Sequence, residues 1–325
     1  MRVAAKALLD LLDDQQRARA SYDFGDDRAR RWLEYRPNRR PGACVAELSV
    51  PARKAAHRLL STALSDHAYA QAMAVIALEE TLDRKEGWYR GRYSGDYWVS
   101  VYGDPVSGEP ASGEPWGWRF EGHHLSVSMT IAGDEVSPAP VFLGANPARV
   151  SYAGRAVSRP LAPEEDLARA LLDAMDDQVR AGAVVSARAP ADIRSGPRPR
   201  AAERIEPLGI AASDLGPTAR AALSQLTALY LDRLRPGLLG AAGRLATSGD
   251  LRFAWEGPVT PGTGHYYRIQ GDDLLIEYDN TTDDGNHAHT VLRRPRSDFG
   301  DDLLADHLRA DLGEEDDPSG RAAIR

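Results

Sequence analysis

Residues 97–131 and 251–293 are built from short segments of strand-forming residues separated by Gly, Asp and Thr turns, and this limits the fold more than any other feature of the sequence. Consecutive strands with short turns must pair antiparallel, because a parallel pair needs a crossover of a dozen or more residues. In the first block Tyr97–Tyr102 stops at Gly103-Asp104-Pro105. The stretch from Trp116 to Ile131 reads as one longer strand whose tail alternates Leu125, Val127, Met129 and Ile131 with small polar residues. The second block holds Leu251–Glu256, His265–Ile269, Leu274–Asp279 and His287–Leu292.

Helical patterns fill the spaces between. Residues 52–84 contain no Gly or Pro, which suits one helix of several turns. Pro163 opens a second helix reaching about Ala181, with Leu167, Leu171, Leu172, Met175 and Val179 in one stripe, and residues 217–234 present Leu223, Leu226, Tyr230 and Leu234 on one face. The expected fold class is therefore α+β, with antiparallel sheet blocks and helices packed on them.

Residues 1–50 read as an accessory N-terminal segment, 51–312 as the main domain and 313–325 as an acidic, disordered tail. The Pro/Gly/Arg-rich stretch 186–216 reads as a long loop or linker. The main domain divides into possible halves, 51–160 and 161–312, each running through a helix, a Tyr-rich strand, a Glu and a His cluster, the pattern of an internal duplication. A chain of 325 residues buries a core without metal or disulfide staples.

The net charge of −8 is dispersed, and the lack of a basic stripe excludes nucleic acid as the expected partner. No apolar run approaches the roughly 18 residues of a membrane helix, and the start of the chain has no cleavable leader, so a cytoplasmic, unexported protein is expected. With Cys44 alone, neither a disulfide nor a Cys-x-x-Cys metal motif can form. A metal ion would rest on imidazole, carboxylate and water.

Of eight histidines, five fall in the two strand blocks. In His287-Ala288-His289 the period of a strand puts both imidazoles on one face, close enough to share an ion. Strand alternation places His123 on the Leu125/Val127 face and His124 on the Ser126/Ser128 face, so one of them is expected to join the pair while the other contacts substrate or a carboxylate. Three imidazoles with open positions make a catalytic type of site, and the donor set suits Fe, Cu or Zn.

Glu121, Glu256 and Glu277 are candidate fourth ligands, orienting groups or general bases; Arg119, Arg268 and Arg293 are candidate receptors for a carboxylate or phosphate on a small-molecule substrate. Glu121, Glu277 and Arg268 are the expected catalytic set. Asp298 reads as the cap of a terminal helix running through Leu303, Leu304, His307 and Leu308, with His307 on its apolar face, and Gly144–Ala148 reads as a turn. No nucleophile elbow, phosphate loop or dinucleotide fingerprint occurs.

At Phe120–Ser126, Phe142–Ala148, Ile276–Asn280, Asn286–His289 and Asp298–Leu304 the chain resembles a family known as domain of unknown function 3500. The resemblance covers most of the chain after about residue 50, leaves the first 50 residues outside, and places both His clusters in one signature. It implies no reaction. The expectation is a metal-dependent enzyme acting on a small anionic molecule, oxidative chemistry being preferred by analogy with His-x-His oxygenase sites. The alternatives are a zinc hydrolase with Glu121 or Glu277 as base, and a non-catalytic ligand- or partner-binding module. The shared site requires His287 and His289 to meet His123 or His124; clusters more than roughly 10 Å apart would rule it out, since bonds to one ion are about 2 Å long.

Overall fold

The computed structural model describes residues 1–105, 114–238, 251–301 and 303. The first half of the chain contributes helices α1 (Arg2–Leu11), α2 (Asp14–Ala20), α3 (Asp27–Arg30), α4 (Val50–Ser61) and α5 (Asp66–Lys85). Its strands are β1 (Ser21–Tyr22), β2 (Ala43–Cys44), β3 (Tyr97–Tyr102), β4 (Trp116–Gly122), β5 (Leu125–Ala132), β6 (Glu135–Ser137) and β7 (Val141–Ala145). A separate hairpin, β8 (Val150–Tyr152) and β9 (Arg155–Ser158), leads to α6 (Ala162–Asp173), α7 (Asp177–Ala183) and α8 (Pro217–Leu231). The second half supplies β10 (Val184–Ser186), β11 (Ile210–Ala211), β12 (Arg252–Glu256), β13 (Tyr266–Gln270), β14 (Leu275–Thr282) and β15 (His287–Arg293).

The strands form one mixed sheet of order β1-β3-β4-β5-β7-β15-β14-β13-β12-β10, with β2, β6 and β11 as side branches. Its long ladders are antiparallel, as the short turns require, and among the described residues only the short outer pairs β1–β3 and β10–β12 run parallel. The order is a palindrome centred on β7 and β15, where Val141 faces Leu292. Both halves show the same local pairings: Ala43 pairs with Val99 as Ile210 pairs with Phe253, and Phe120 with Val127 as Ile269 with Ile276. The chain is thus a structural duplication. In this register Arg119 matches Arg268, and the turn Gly122-His123-His124-Leu125 matches Gly271-Asp272-Asp273-Leu274.

The palindrome changes the reading of the first 50 residues. They are the counterpart of 162–216: β1 and β2 hold the β3 edge as β10 and β11 hold β12, so the segment is part of the repeat and no accessory. Two helices expected to be continuous are broken. Residues 52–84 divide at Thr62–Ser65, where Ser65 N bonds Arg233 O and Arg235 N bonds Ala63 O. This bridge between halves takes the backbone groups a continuous helix would use. In residues 163–181 Asp176 starts α7 by accepting from Val179 N at 2.9 Å, and Arg180 covers the carbonyls of Leu172 and Met175.

The apolar strand positions form one core with the helices, in which Val99, Phe120, Val127, Leu143, Ile276 and Tyr278 meet Leu59, Leu60, Val75, Leu171, Leu226 and Tyr230. The opposite face carries polar side chains and is covered by two loop straps from equivalent places in the halves, residues 29–36 and 192–199. Leu33 and Tyr35 of one strap and Ile193 of the other close over Phe142 and Val291, the facing residues of β7 and β15.

Buried arginines fasten the straps: Arg119 donates to the carbonyls of Ala29, Arg30 and Trp32, and Arg293 to those of Arg198 and Pro199. The stretch read as a linker is therefore bound down along part of its length. Asp298 accepts from Arg293 Nε at 2.7 Å and Arg294 N at 3.0 Å, so its carboxylate anchors the end of β15. The expected terminal helix beyond it, with Leu304, His307 and Leu308, lies outside the described residues.

His265, the fifth histidine of the strand blocks, is structural. Its ring is wholly buried and stacks on Trp255 with centroids 4.3 Å apart, and burial lowers its pKa from 6.5 to about 4. Below pH 6.5 the unfolded chain takes up a proton that the folded one refuses until about pH 4. Stability is therefore full above 6.5 and is lost as pH falls toward 4, by about 3 kcal/mol in total. In urea titrations the parent is expected to lose more stability between pH 7 and 4.5 than His265→Phe; equal pH slopes would contradict the assignment.

Candidate metal centre

The fold brings three imidazoles from distant places to one end of the β7–β15 seam. His287 and His289 extend from the same face of β15, while His124 arrives from the β4–β5 turn and its backbone follows β7, with Gly144 N bonded to His124 O at 2.7 Å. One nitrogen from each of the three lies within 4.8 Å of the others, and the Nε2 atoms of His124 and His287 are 2.8 Å apart.

His123 and His124 are the two turn residues of a tight hairpin and do not alternate along a strand. The expected continuous strand from Trp116 is therefore two strands, and the face assignment of these residues fails with it. His124 takes φ +60°, a conformation that costs a β-carbon residue about 1–3 kcal/mol. Its N bonds to Tyr35 O at 3.0 Å, and that bond with the one from Gly144 holds the turn in place. A β-carbon on Gly144 would stand 2.9 Å from His124 Cδ2, so glycine is what admits the ring.

Each imidazole has its own backing. His289 Nδ1 lies 3.0 Å from Asp192 Oδ1 and 3.2 Å from Asp279 Oδ2, and Tyr35 donates its hydroxyl to Asp192 at 2.7 Å. Burial alone would lower the His289 pKa, but the Asp279 charge and the hydrogen bonds to both carboxylates push it up to about 9. Burial lowers His287 to about 3 and holds His124 well below the usual range, aided by the neighbouring imidazoles, so both are neutral with lone pairs available. Asn146 Nδ2 lies 3.2 Å from His287 Nδ1. His123 stacks on His124 at 3.7 Å, and its Nδ1 meets Glu79 Oε1 at 2.5 Å.

This donor set could hold one metal ion. Two imidazole nitrogens on a tetrahedral ion with bonds of about 2.0–2.1 Å stand roughly 3.3 Å apart, so a modest opening of the 2.8 Å pair admits it. With His289 Nδ1 engaged by Asp192 and Asp279, Nε2 is the atom left for an ion, which would displace the proton that the raised pKa keeps on the ring and complete the carboxylate–imidazole–metal arrangement that fixes ring orientation. Ligation of His287 through Nε2 requires a proton on Nδ1. Rotating the Asn146 amide would present Oδ1, a buried oxygen without a partner, to accept it.

The other sequence candidates lie outside this cluster. Glu121 bonds Arg119 at 2.8 Å and lies 3.5 Å from Arg40. Glu277 accepts from Tyr266, Arg194 N and Ser195 N, and Arg268 is held by Glu256 and the Pro207 carbonyl. In this structure Glu121 and Glu277 hold the straps, as do Arg119 and Arg293, while Arg268 reaches the Pro207 carbonyl beyond them. Glu256 is likewise tied to Arg194 and Arg268.

Sequence reasoning missed Tyr35, Glu79, Asn146, Asp192 and Asp279. Only Asp279 left a trace, since the β14–β15 hairpin register sets it opposite His289. The turn read at Gly144–Ala148 ends β7 and delivers Gly144 and Asn146 to the site.

The family described as a protein of unknown function (DUF3500) matches residues 1–301, and the chain belongs to it. The match begins at the first residue, so the N-terminal 50 residues fall inside the family and not outside it. No curated protein and no solved structure matches the chain.

Gly144→Ala is expected to displace the His124 ring and lower stability by about 1–3 kcal/mol, the usual cost of overpacking. A crystal structure of the variant checks this. An unchanged 2.8 Å spacing of His124 and His287 would contradict the role given to this glycine.

Proposed function

We propose that the protein is a metal-dependent enzyme in which His124, His287 and His289 hold one Fe, Cu or Zn ion and leave positions open for a small-molecule substrate. The observation that carries the reading is the meeting of these imidazoles at one point with paired carboxylates behind His289. A core of this size has no need of such a cluster for stability, and buried imidazoles together are costly unless their lone pairs find partners. A bound ion would supply a Lewis acid or redox centre at the open positions.

The chain's residues divide the remaining work. Asp192 and Asp279 orient His289, Asn146 and Asp283 face His287, and Tyr35 closes the site from the strap side while positioning Asp192. Oxidative chemistry is preferred over hydrolysis because Glu121 and Glu277, the bases a hydrolytic mechanism was expected to use, are engaged with arginine or the 194–195 backbone. One observation favours the hydrolytic reading: the Glu79–His123 pair, stacked beside His124, offers a different base. Among the described residues no helix is long and apolar enough to cross a membrane.

Protein purified without oxygen is expected to carry about one equivalent of Fe, Cu or Zn by elemental analysis, the element separating the two chemistries. His289→Ala is expected to lose that metal and all turnover while melting close to the parent. A variant that keeps metal and activity but melts far lower would make His289 structural. Asp279→Asn should weaken metal affinity by about 10–100-fold, as loss of an orienting carboxylate does.

A further inference from the structure

On the His123 side of the cluster lies a cavity of about 600 Å³, within the range that encloses a small ligand. Its walls include Arg39, Glu79, Tyr93, Asp96, Trp98 and His123. Most charges around it are matched: Arg92 bonds Glu86 at 2.8 Å, Glu79 bonds His123 at 2.5 Å, and Glu47 bonds Arg19 at 2.8 Å. Two are not. Among the described residues the Arg39 guanidinium and the Asp96 carboxylate have no hydrogen-bond or ion-pair partner. Asp96 also lies in the field of Glu79 and Glu80, so a cation beside it relieves repulsion.

We propose that this cavity binds a free aromatic amino acid as a zwitterion, its carboxylate on Arg39, its ammonium on Asp96 and its ring against Trp98 and Tyr93. A zwitterion meets both charges at once, whereas a plain anion leaves Asp96, and a plain cation Arg39, to water. The forked guanidinium matches a carboxylate, and the two aromatic walls match a planar side chain. His123 lines the cavity and stacks on His124, so two stacked imidazoles separate the ligand from the proposed ion. As a substrate site the cavity rests on the metal reading; as a binding site it does not.

Calorimetric titration of the full chain, as purified and after chelation, tests this with L-phenylalanine, its methyl ester and 3-phenylpropionate. Phenylalanine should bind in both preparations and each single-charge analogue at least about 10-fold more weakly, the loss of one charged hydrogen-bonded contact. Arg39 and Asp96 are exposed, so Arg39→Gln and Asp96→Asn should leave the fold intact. The first should weaken phenylalanine and phenylpropionate but not the ester, the second phenylalanine and the ester but not phenylpropionate. Equal binding of all three probes, binding of none, or an equal effect of each variant on all three would overturn the proposal. Binding of phenylalanine to a protein that never contains metal would uphold the cavity and sink the metal reading. Metal-bearing protein that binds no probe would do the reverse.

Discussion

The antiparallel seam between β7 and β15 is the contact on which the rest of the molecule depends. It joins the two halves of the duplication, with Val291 facing Phe142 and His289 facing Gly144. Its apolar side completes the helix-packed core, and its other side gives the straps an apolar footing at Phe142 and Val291. Next to that footing the same strand faces carry His287 and His289. The straps therefore shield the cluster while delivering Tyr35 and Asp192 to it.

The duplication explains why so many charges are buried on the strap side. A polar strand face covered by loops must satisfy loop carbonyls that have no ladder to join, and guanidinium forks do so several at a time. Arg119 and Arg268 occupy matched positions and both reach strap or loop carbonyls. The halves diverge at the hairpin turns. Where one half has His123-His124, the other has Asp272-Asp273, and Asp273 lies 3.1 Å from Arg294. Beside that turn stand Pro138 and Ala139, which bring no imidazole. One end of the seam is thus an ion-paired scaffold and the other a concentration of lone pairs.

Much of the sheet was legible in the sequence, because period-two alternation between short turns is a local signal and the final register preserves it. The common face of His287 and His289 followed from the same rule. The turn at His123-His124 did not, since two histidines carry none of the usual two-residue turn chemistry and the hairpin depends on Gly122 and tertiary contacts. The helix break at Thr62–Ser65 arises from a bridge to the other half, which no local propensity records. Tyr35 and Asp192 lie in stretches without periodicity, 89 and 97 residues from their partners His124 and His289 in sequence, so only the folded straps reveal them. The carbonyl partners of Arg119, Arg268 and Arg293 were hidden for a related reason: composition shows a charge but not the groups it will meet.

The central claim is that three imidazoles from a hairpin turn and a seam strand share one ion. The most direct measurement is anomalous diffraction at the absorption edge of the metal found in crystals of protein grown without oxygen. The account predicts one strong peak about 2.0–2.2 Å from a nitrogen of each of His124, His287 and His289. A peak elsewhere, or a closed cluster with the 2.8 Å contact of His124 and His287 intact in metal-replete protein, would contradict it.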